Sequence, residues 1–210
     1  MTALKKRPGR GGRVAVYLDG QAAFDLPLPL AAGLAVGQAL GPGEVERLQG
    51  QAAEDAAVQR GLRLLQVRPR SEHELRQRLT RAGVPAPAQQ RALERLRQAG
   101  LLDDRAFARA WVEDRQTFKP RARRALQVEL RGKGVGAEAI EQALAQVDDE
   151  QEAERAVRKI AARRAGEGPQ DFERRLGAWL ARRGFGYETI KPLVRRLWRQ
   201  TGGVDGDVER

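Results

Sequence analysis

Leu75-Arg76-Gln77-Arg78-Leu79-Thr80-Arg81-Ala82-Gly83-Val84 carries two leucines about one helical turn apart and a glycine four residues further on. Leucines at i and i+4 lie one above the other on a helix face. The glycine falls just past a helix end, where the backbone turns left-handed and only Gly does so without steric cost. Val84 is then the residue that packs back onto Leu79 in a Schellman ending. The pattern returns as Leu126–Leu130–Gly134–Val135 and as Leu176–Leu180–Gly184–Phe185, displaced by 51 and then 50 residues. A near-constant period of that size marks a tandem helical repeat, which favours a binding surface over an active site.

A second amphipathic helix follows each stop. Its apolar positions are Leu93 and Leu96, then Ile140, Leu144 and Val147, then Ile190, Val194 and Leu197, spaced as on one helix face. A third helix follows in the first two copies. One starts at Asp103, a good N-cap, and carries Phe107, Ala110 and Trp111; the other starts near Asp148 and carries Ala153, Ala156, Val157 and Ile160. The third copy runs instead into a Gly- and Asp-containing tail, so it reads as short.

Outward from the repeats, residues 1–12 are basic and Gly-rich and read as a disordered arm. Residues 13–57 read as a β-hairpin plus helix. Val14, Val16 and Leu18 alternate, Asp19-Gly20 supplies a two-residue turn, and Phe24, Leu26 and Leu28 alternate on the return. A lone hairpin is unstable in water and must pack on further strands or on the helix opened by Pro42-Gly43-Glu44. That helix reaches roughly Val67, with Gly50 and Gly61 as weak points. Helical repeats are expected at 58–118, 119–168 and, short, 169–200, with a disordered tail at 201–210. Ser71 and Glu74 form a capping box at the start of the first Leu–Leu–Gly helix.

The formal net charge is +11, which points to an anionic partner such as nucleic acid or a nucleoprotein. Residues 61–200 hold 31 Lys and Arg against 19 Asp and Glu, while residues 1–60 hold 7 against 6. The repeats therefore carry the charge. Most of it is Arg, which suits phosphate geometry and equally suits an Ala-, Gly- and Leu-rich background composition. There is no Cys and one His, so disulfides, thiolate metal sites and thiol nucleophiles are excluded. A cytoplasmic, monomeric protein without cofactor or metal is the natural reading. Leu26–Leu40 is apolar but broken by Pro27, Pro29, Gly33 and Gly37, too short to span a bilayer.

Several blocks together resemble the bacterial RecX family. They are Arg68-Pro69-Arg70-Ser71 with Glu74 and Leu75; Gly100-Leu101-Leu102-Asp103-Asp104 with Phe107, Ala108 and Trp111; Lys119-Pro120-Arg121; Leu130 with Gly134-Val135; and Arg183-Gly184-Phe185 with Tyr187 and Ile190. The resemblance spans roughly residues 58–200. It implies a mainly α fold of tandem three-helix repeats in an elongated array, here with a small N-terminal β-hairpin. It also implies a non-enzymatic regulator that binds RecA filaments on DNA and restrains filament growth, ATP hydrolysis and strand exchange. The alternative from the residues alone is a sequence-nonspecific DNA-binding protein built of helix-turn-helix-like repeats.

The candidate contacts to RecA or to single- or double-stranded DNA are Arg68, Arg70, Lys119, Arg121, Arg123 and Arg124. They flank helix N-termini, which already favour anions. The competing reading is a solvated charged face. Arg182 and Arg183, in the last turn of a helix, are explained by the helix dipole. Asp103 and Asp104 point apart on a helix, and Asp148-Asp149-Glu150 likewise offers no acid–base pair. His73 has no second ligand nearby, and Trp111 falls in the Phe107 stripe as core.

Overall fold

The computed structural model describes residues 1–7, 12–164 and 166–201. Three strands open the chain, β1 (Ala3–Lys6), β2 (Arg13–Leu18) and β3 (Gln21–Pro27), followed by the short helix α1 (Leu28–Ala31). Among the described residues nine longer helices follow: α2 (Pro42–Val67), α3 (Glu72–Arg81), α4 (Ala86–Gln98), α5 (Asp104–Phe118), α6 (Arg123–Gly132), α7 (Ala137–Leu144), α8 (Asp149–Ala162), α9 (Pro169–Ala181) and α10 (Tyr187–Gln200). The chain divides into two compact units, Met1–Asp103 and Asp104–Arg210. Among the described residues no helix is long and apolar enough to cross a membrane.

In the first unit the expected hairpin is present, with Asp19 and Gly20 both at positive φ (50° and 81°) in its turn. The disordered arm expected at 1–12 is corrected in its first part. Residues 3–6 form a third strand, antiparallel to β2 with Leu4 opposite Val16. Leu4 and Met1 pack against Val14, Val16 and Leu26, and that apolar gain orders a segment that composition alone reads as loose. Residues 8–11 of that arm lie outside the described residues, as do 202–210 of the expected tail.

Helix α2 is continuous through Gly50 and Gly61 and joins two cores. Leu48 and Ala52 face the sheet, whereas Ala57 and Val58 join Leu75, Leu79, Leu93 and Leu96. Gly61 is a close-approach position: a Cβ there would lie 2.7 Å from Leu96 Cδ1. The 57/58 boundary expected from sequence therefore falls inside one helix.

All three Leu–Leu–Gly stops form as Schellman endings. Val84, Val135 and Phe185 donate to the carbonyls of Leu79, Leu130 and Leu180 at 3.2, 3.1 and 3.3 Å. Gly83, Gly134 and Gly184 hold φ of 72°, 73° and 92°. The capping box at Ser71 and Glu74 also forms, and Asp148 caps α8 through the N–H groups of Glu150 and Gln151.

The repeat register is right, but its phase is corrected. The helix that completes each core precedes the Leu–Leu–Gly helix instead of following its successor. Phe107, Ala108 and Val112 of α5 pack on Leu126, Leu130, Ile140 and Leu144. Ala153, Val157 and Ala161 of α8 pack on Phe172, Leu176, Leu180, Ile190 and Leu197. The three-helix sets are thus the second half of α2 with α3 and α4, then α5–α7, then α8–α10. The third copy is complete, because α8, assigned from sequence to the second copy, supplies its missing helix.

Candidate anion-binding interface

The turn between α2 and α3 carries Arg68 and Arg70. Arg68 grips Glu74 through both terminal nitrogens, at 3.1 and 3.0 Å, and donates to the Pro69 carbonyl at 2.8 Å. The hydrogen bond to Glu74 holds its guanidinium above the usual value. Arg70 Nε donates to the Leu64 carbonyl at 3.2 Å, one of the open carbonyls at the end of α2. Burial, with Arg68 and Arg78 nearby, pulls its guanidinium below the usual value. Both side chains hold the turn that presents them.

The turn between α5 and α6 carries Lys119 and Arg121, and Arg123 and Arg124 open α6. Arg121 Nε meets Glu129 Oε1 at 3.0 Å. Arg123 donates from its side chain to the Leu144 carbonyl at 2.9 Å, and from its main chain to Asp149 Oδ1 at 2.6 Å. Arg124 donates to the carbonyls of Gly184 and Phe185. Lys119 is exposed, and its side chain has no polar partner among the described residues. Of the six candidates, five therefore make internal contacts, and only Lys119 points outward unengaged.

A carboxylate organises this region. Glu129 Oε2 accepts from Trp111 Nε1 at 2.8 Å and from Arg115 Nε at 3.1 Å, while its other oxygen takes Arg121. Arg115 and Lys133 stand over the Trp111 ring, 4.0 and 4.1 Å from its centroid. Phe107 stacks on the same indole at 6.0 Å, as the shared stripe anticipates.

Folding adds two cations, Arg182 and Arg183, for which the sequence alone offers only the helix dipole. The Ala122 N–H donates to the Arg183 carbonyl at 3.1 Å, which brings the α9–α10 turn against the start of α6. Arg121 and Arg182 then both lie near the Arg183 guanidinium. That group rests 3.5 Å from the centroid of the Trp179 ring, and its Nε is buried without a hydrogen-bond partner among the described residues. Burial first, then Arg121 and Arg182, push it below its usual value. The repeat offered one clue, since Arg183 and Lys133 both precede the stop glycine and both sit over an indole. Among the described residues no group of three or more His, Cys, Asp or Glu could hold a metal ion.

Two family models match this chain: the first three-helix domain of RecX over residues 57–96, and the second over residues 103–144. Over 145 residues it is 40% identical to the regulatory protein RecX of Streptomyces coelicolor, covering 67% of this chain and 77% of that protein. Over 138 residues it is 44% identical to the regulatory protein RecX of Mycobacteroides abscessus, covering 64% and 68%. A crystal structure of regulatory protein RecX superposes with a TM-score of 0.72 at 22% identity, over 93% of this chain and 98% of that one. RecX from Lactobacillus salivarius superposes at 0.60 and 18% identity, over 69% and 96%. These two superpositions speak to the fold alone.

Proposed function

The chain belongs to the RecX family, whose named members are regulatory proteins, and we propose that it binds RecA–DNA filaments and restrains RecA-promoted ATP hydrolysis and strand exchange. The observation that carries this reading is the family match laid over three tandem three-helix cores. Similar modules in series suit a partner that is itself a repeating polymer. Each module supplies a weak contact, and covalent linkage makes the later contacts intramolecular. Restraint then needs occupancy only: the bound modules obstruct incoming DNA or bridge subunits that must separate. On this reading the protein works in the cytoplasm as a monomer, without a catalytic step of its own. The candidate contacts are Arg68 and Arg70 in the first unit and, in the second, Lys119, Arg121, Arg123 and Arg124 around the start of α6, with Lys119 the freest of them.

The test is addition of the purified protein, below one per RecA, to RecA assembled on single-stranded DNA. Slowed ATP hydrolysis and strand exchange are expected. Unchanged rates at equimolar protein would overturn the reading. The alternative, a sequence-nonspecific DNA-binding protein, draws on the net charge of +11 and the three-helix units. It requires tight, salt-steep binding to naked DNA without any effect that depends on RecA.

A further inference from the structure

We propose that Arg121, Arg182 and Arg183 form a seam that takes the phosphodiester backbone of nucleic acid, where the α9–α10 turn meets the start of α6. This deepens the function proposed above by assigning the DNA-contacting part of the interface, and it takes its partner from that reading. The convergence is built into the fold. The bond from Ala122 N–H to the Arg183 carbonyl fixes the two turns in register, and Arg124 fastens the same turn through Gly184 and Phe185.

Arg183 is the centre of the seam. Among the described residues it has no carboxylate partner, and its buried Nε has no acceptor. Buried charged donors are ordinarily paired, so an unpaired one beside two further cations is a place where an anion relieves both desolvation and repulsion. The Trp179 ring against the guanidinium limits its freedom, which suits bidentate contact with phosphate oxygens. Arg182 is exposed beside it.

Local acids do not neutralise the seam. Glu129 meets Arg121 but divides its charge among Arg121, Arg115 and the Trp111 N–H. Asp149 is held by the Arg123 N–H. Three guanidinium groups in one seam call for several closely spaced anionic charges. A nucleic-acid duplex offers one per about 1.7 Å of its axis, a density that an isolated carboxylate on a protein does not match.

The experiment titrates a fluorescein-labelled DNA duplex with the full chain, without RecA, over a series of salt concentrations. Removing one phosphate-binding cation lowers the slope of log affinity against log salt by about 1. Arg182→Ala with Arg183→Gln should lower it by about 2, uniformly across DNA sequences. Arg183→Lys should retain most of the slope. Arg158→Ala with Lys159→Ala, an equal charge change on the exposed face of α8, should leave it unaltered. Should the seam double variant unfold, Arg182→Ala alone, at an exposed position, is read for a decrease of about 1.

An unchanged slope in the seam variants, or an equal decrease in the α8 control, overturns the proposal. Intact DNA binding with abolished restraint of RecA would mean that the seam contacts protein. That result sinks this inference while the proposed function stands. A reduced DNA slope in the seam variants, from a wild-type chain that never restrains RecA, has the converse meaning.

Discussion

The main-chain N–H of Ala122 reaches the carbonyl oxygen of Arg183 at 3.1 Å. The glycine that follows Arg183 is what permits the approach. Gly184 holds φ of 92°, and a Cβ on it would lie 2.7 Å from Ala125 Cβ. Arg124 completes the tie by donating to Gly184 and Phe185. A helix stop in one module is thereby also the docking point for the module before it.

Gly184→Ala is therefore expected to cost more than the same change at an ordinary helix stop. Left-handed backbone alone costs a non-glycine residue about 1–2 kcal/mol, and overpacking against Ala125 adds about 1–3 kcal/mol. Gly83 shares the positive φ but faces open space, so Gly83→Ala should cost only the first part. Denaturant unfolding of the two variants checks the difference, and equal losses would remove the packing argument.

Glu129 is the second point of tension. Its carboxylate serves Trp111, Arg115 and Arg121 at once, and its side chain is 20% exposed. Glu129→Ala leaves the indole N–H and two guanidinium groups without their acceptor. A loss of about 1–2 kcal/mol in unfolding free energy is expected, allowing for partial solvent access. Trp111 fluorescence should shift in the folded variant, since the indole loses its hydrogen bond. A variant with wild-type stability and an unshifted spectrum would show that water replaces the carboxylate at no cost.

Much of this was readable from local sequence, because caps and stops act within one helical turn. Ser71 with Glu74, Asp148, and the three stop glycines each formed as the spacing dictates. Phase was not readable. In a periodic chain the helix carrying Phe107 follows one Leu–Leu–Gly pair and precedes the next, and only packing shows that it faces Leu126 and Leu130. The internal contacts of the basic residues were unreadable for a related reason. Arginines beside helix ends find open carbonyls within reach, as Arg70 does at Leu64 and Arg123 at Leu144. The meeting of Arg121 with Arg183 depends on a long-range contact that no local pattern encodes.

Two carboxylates give opposite pH dependences. Burial raises Glu152 above the usual range, although Arg155 and Gln116 pull it the other way; its second oxygen is buried without a partner among the described residues. A raised native value means that Glu152 contributes stability below the unfolded value, lost as pH rises through the folded value. Burial also lifts Glu72, but hydrogen bonds from Arg97 and Arg76 bring it below the usual range. Its contribution is present above the unfolded value and is lost as pH falls through the folded one. Glu152→Gln keeps an acceptor for Gln116 and removes the buried charge. It should raise the melting temperature near about pH 7, and the gain should shrink as pH falls through the folded carboxyl's raised range. Thermal unfolding across that range checks the sign. A variant less stable than wild type at neutral pH would mean that the ion pair with Arg155 outweighs the burial.

Arg70 and Lys119 occupy neighbouring positions of successive repeats and separate structure from contact. Arg70 Nε satisfies the Leu64 carbonyl near the end of α2, where a cation also complements the helix dipole. Arg70→Ala should therefore lower unfolding free energy by about 1 kcal/mol. Lys119 is exposed, with no polar side-chain partner among the described residues. Lys119→Ala should leave stability within about 0.5 kcal/mol of wild type. If the turn between α5 and α6 meets an anionic partner, the same substitution should weaken binding to RecA–DNA filaments and reduce its salt dependence by about one counterion. Measuring unfolding and co-sedimentation on both variants assigns each cation. Wild-type co-sedimentation by Lys119→Ala at matched salt would remove this turn from the interface, whatever the outcome at Arg70.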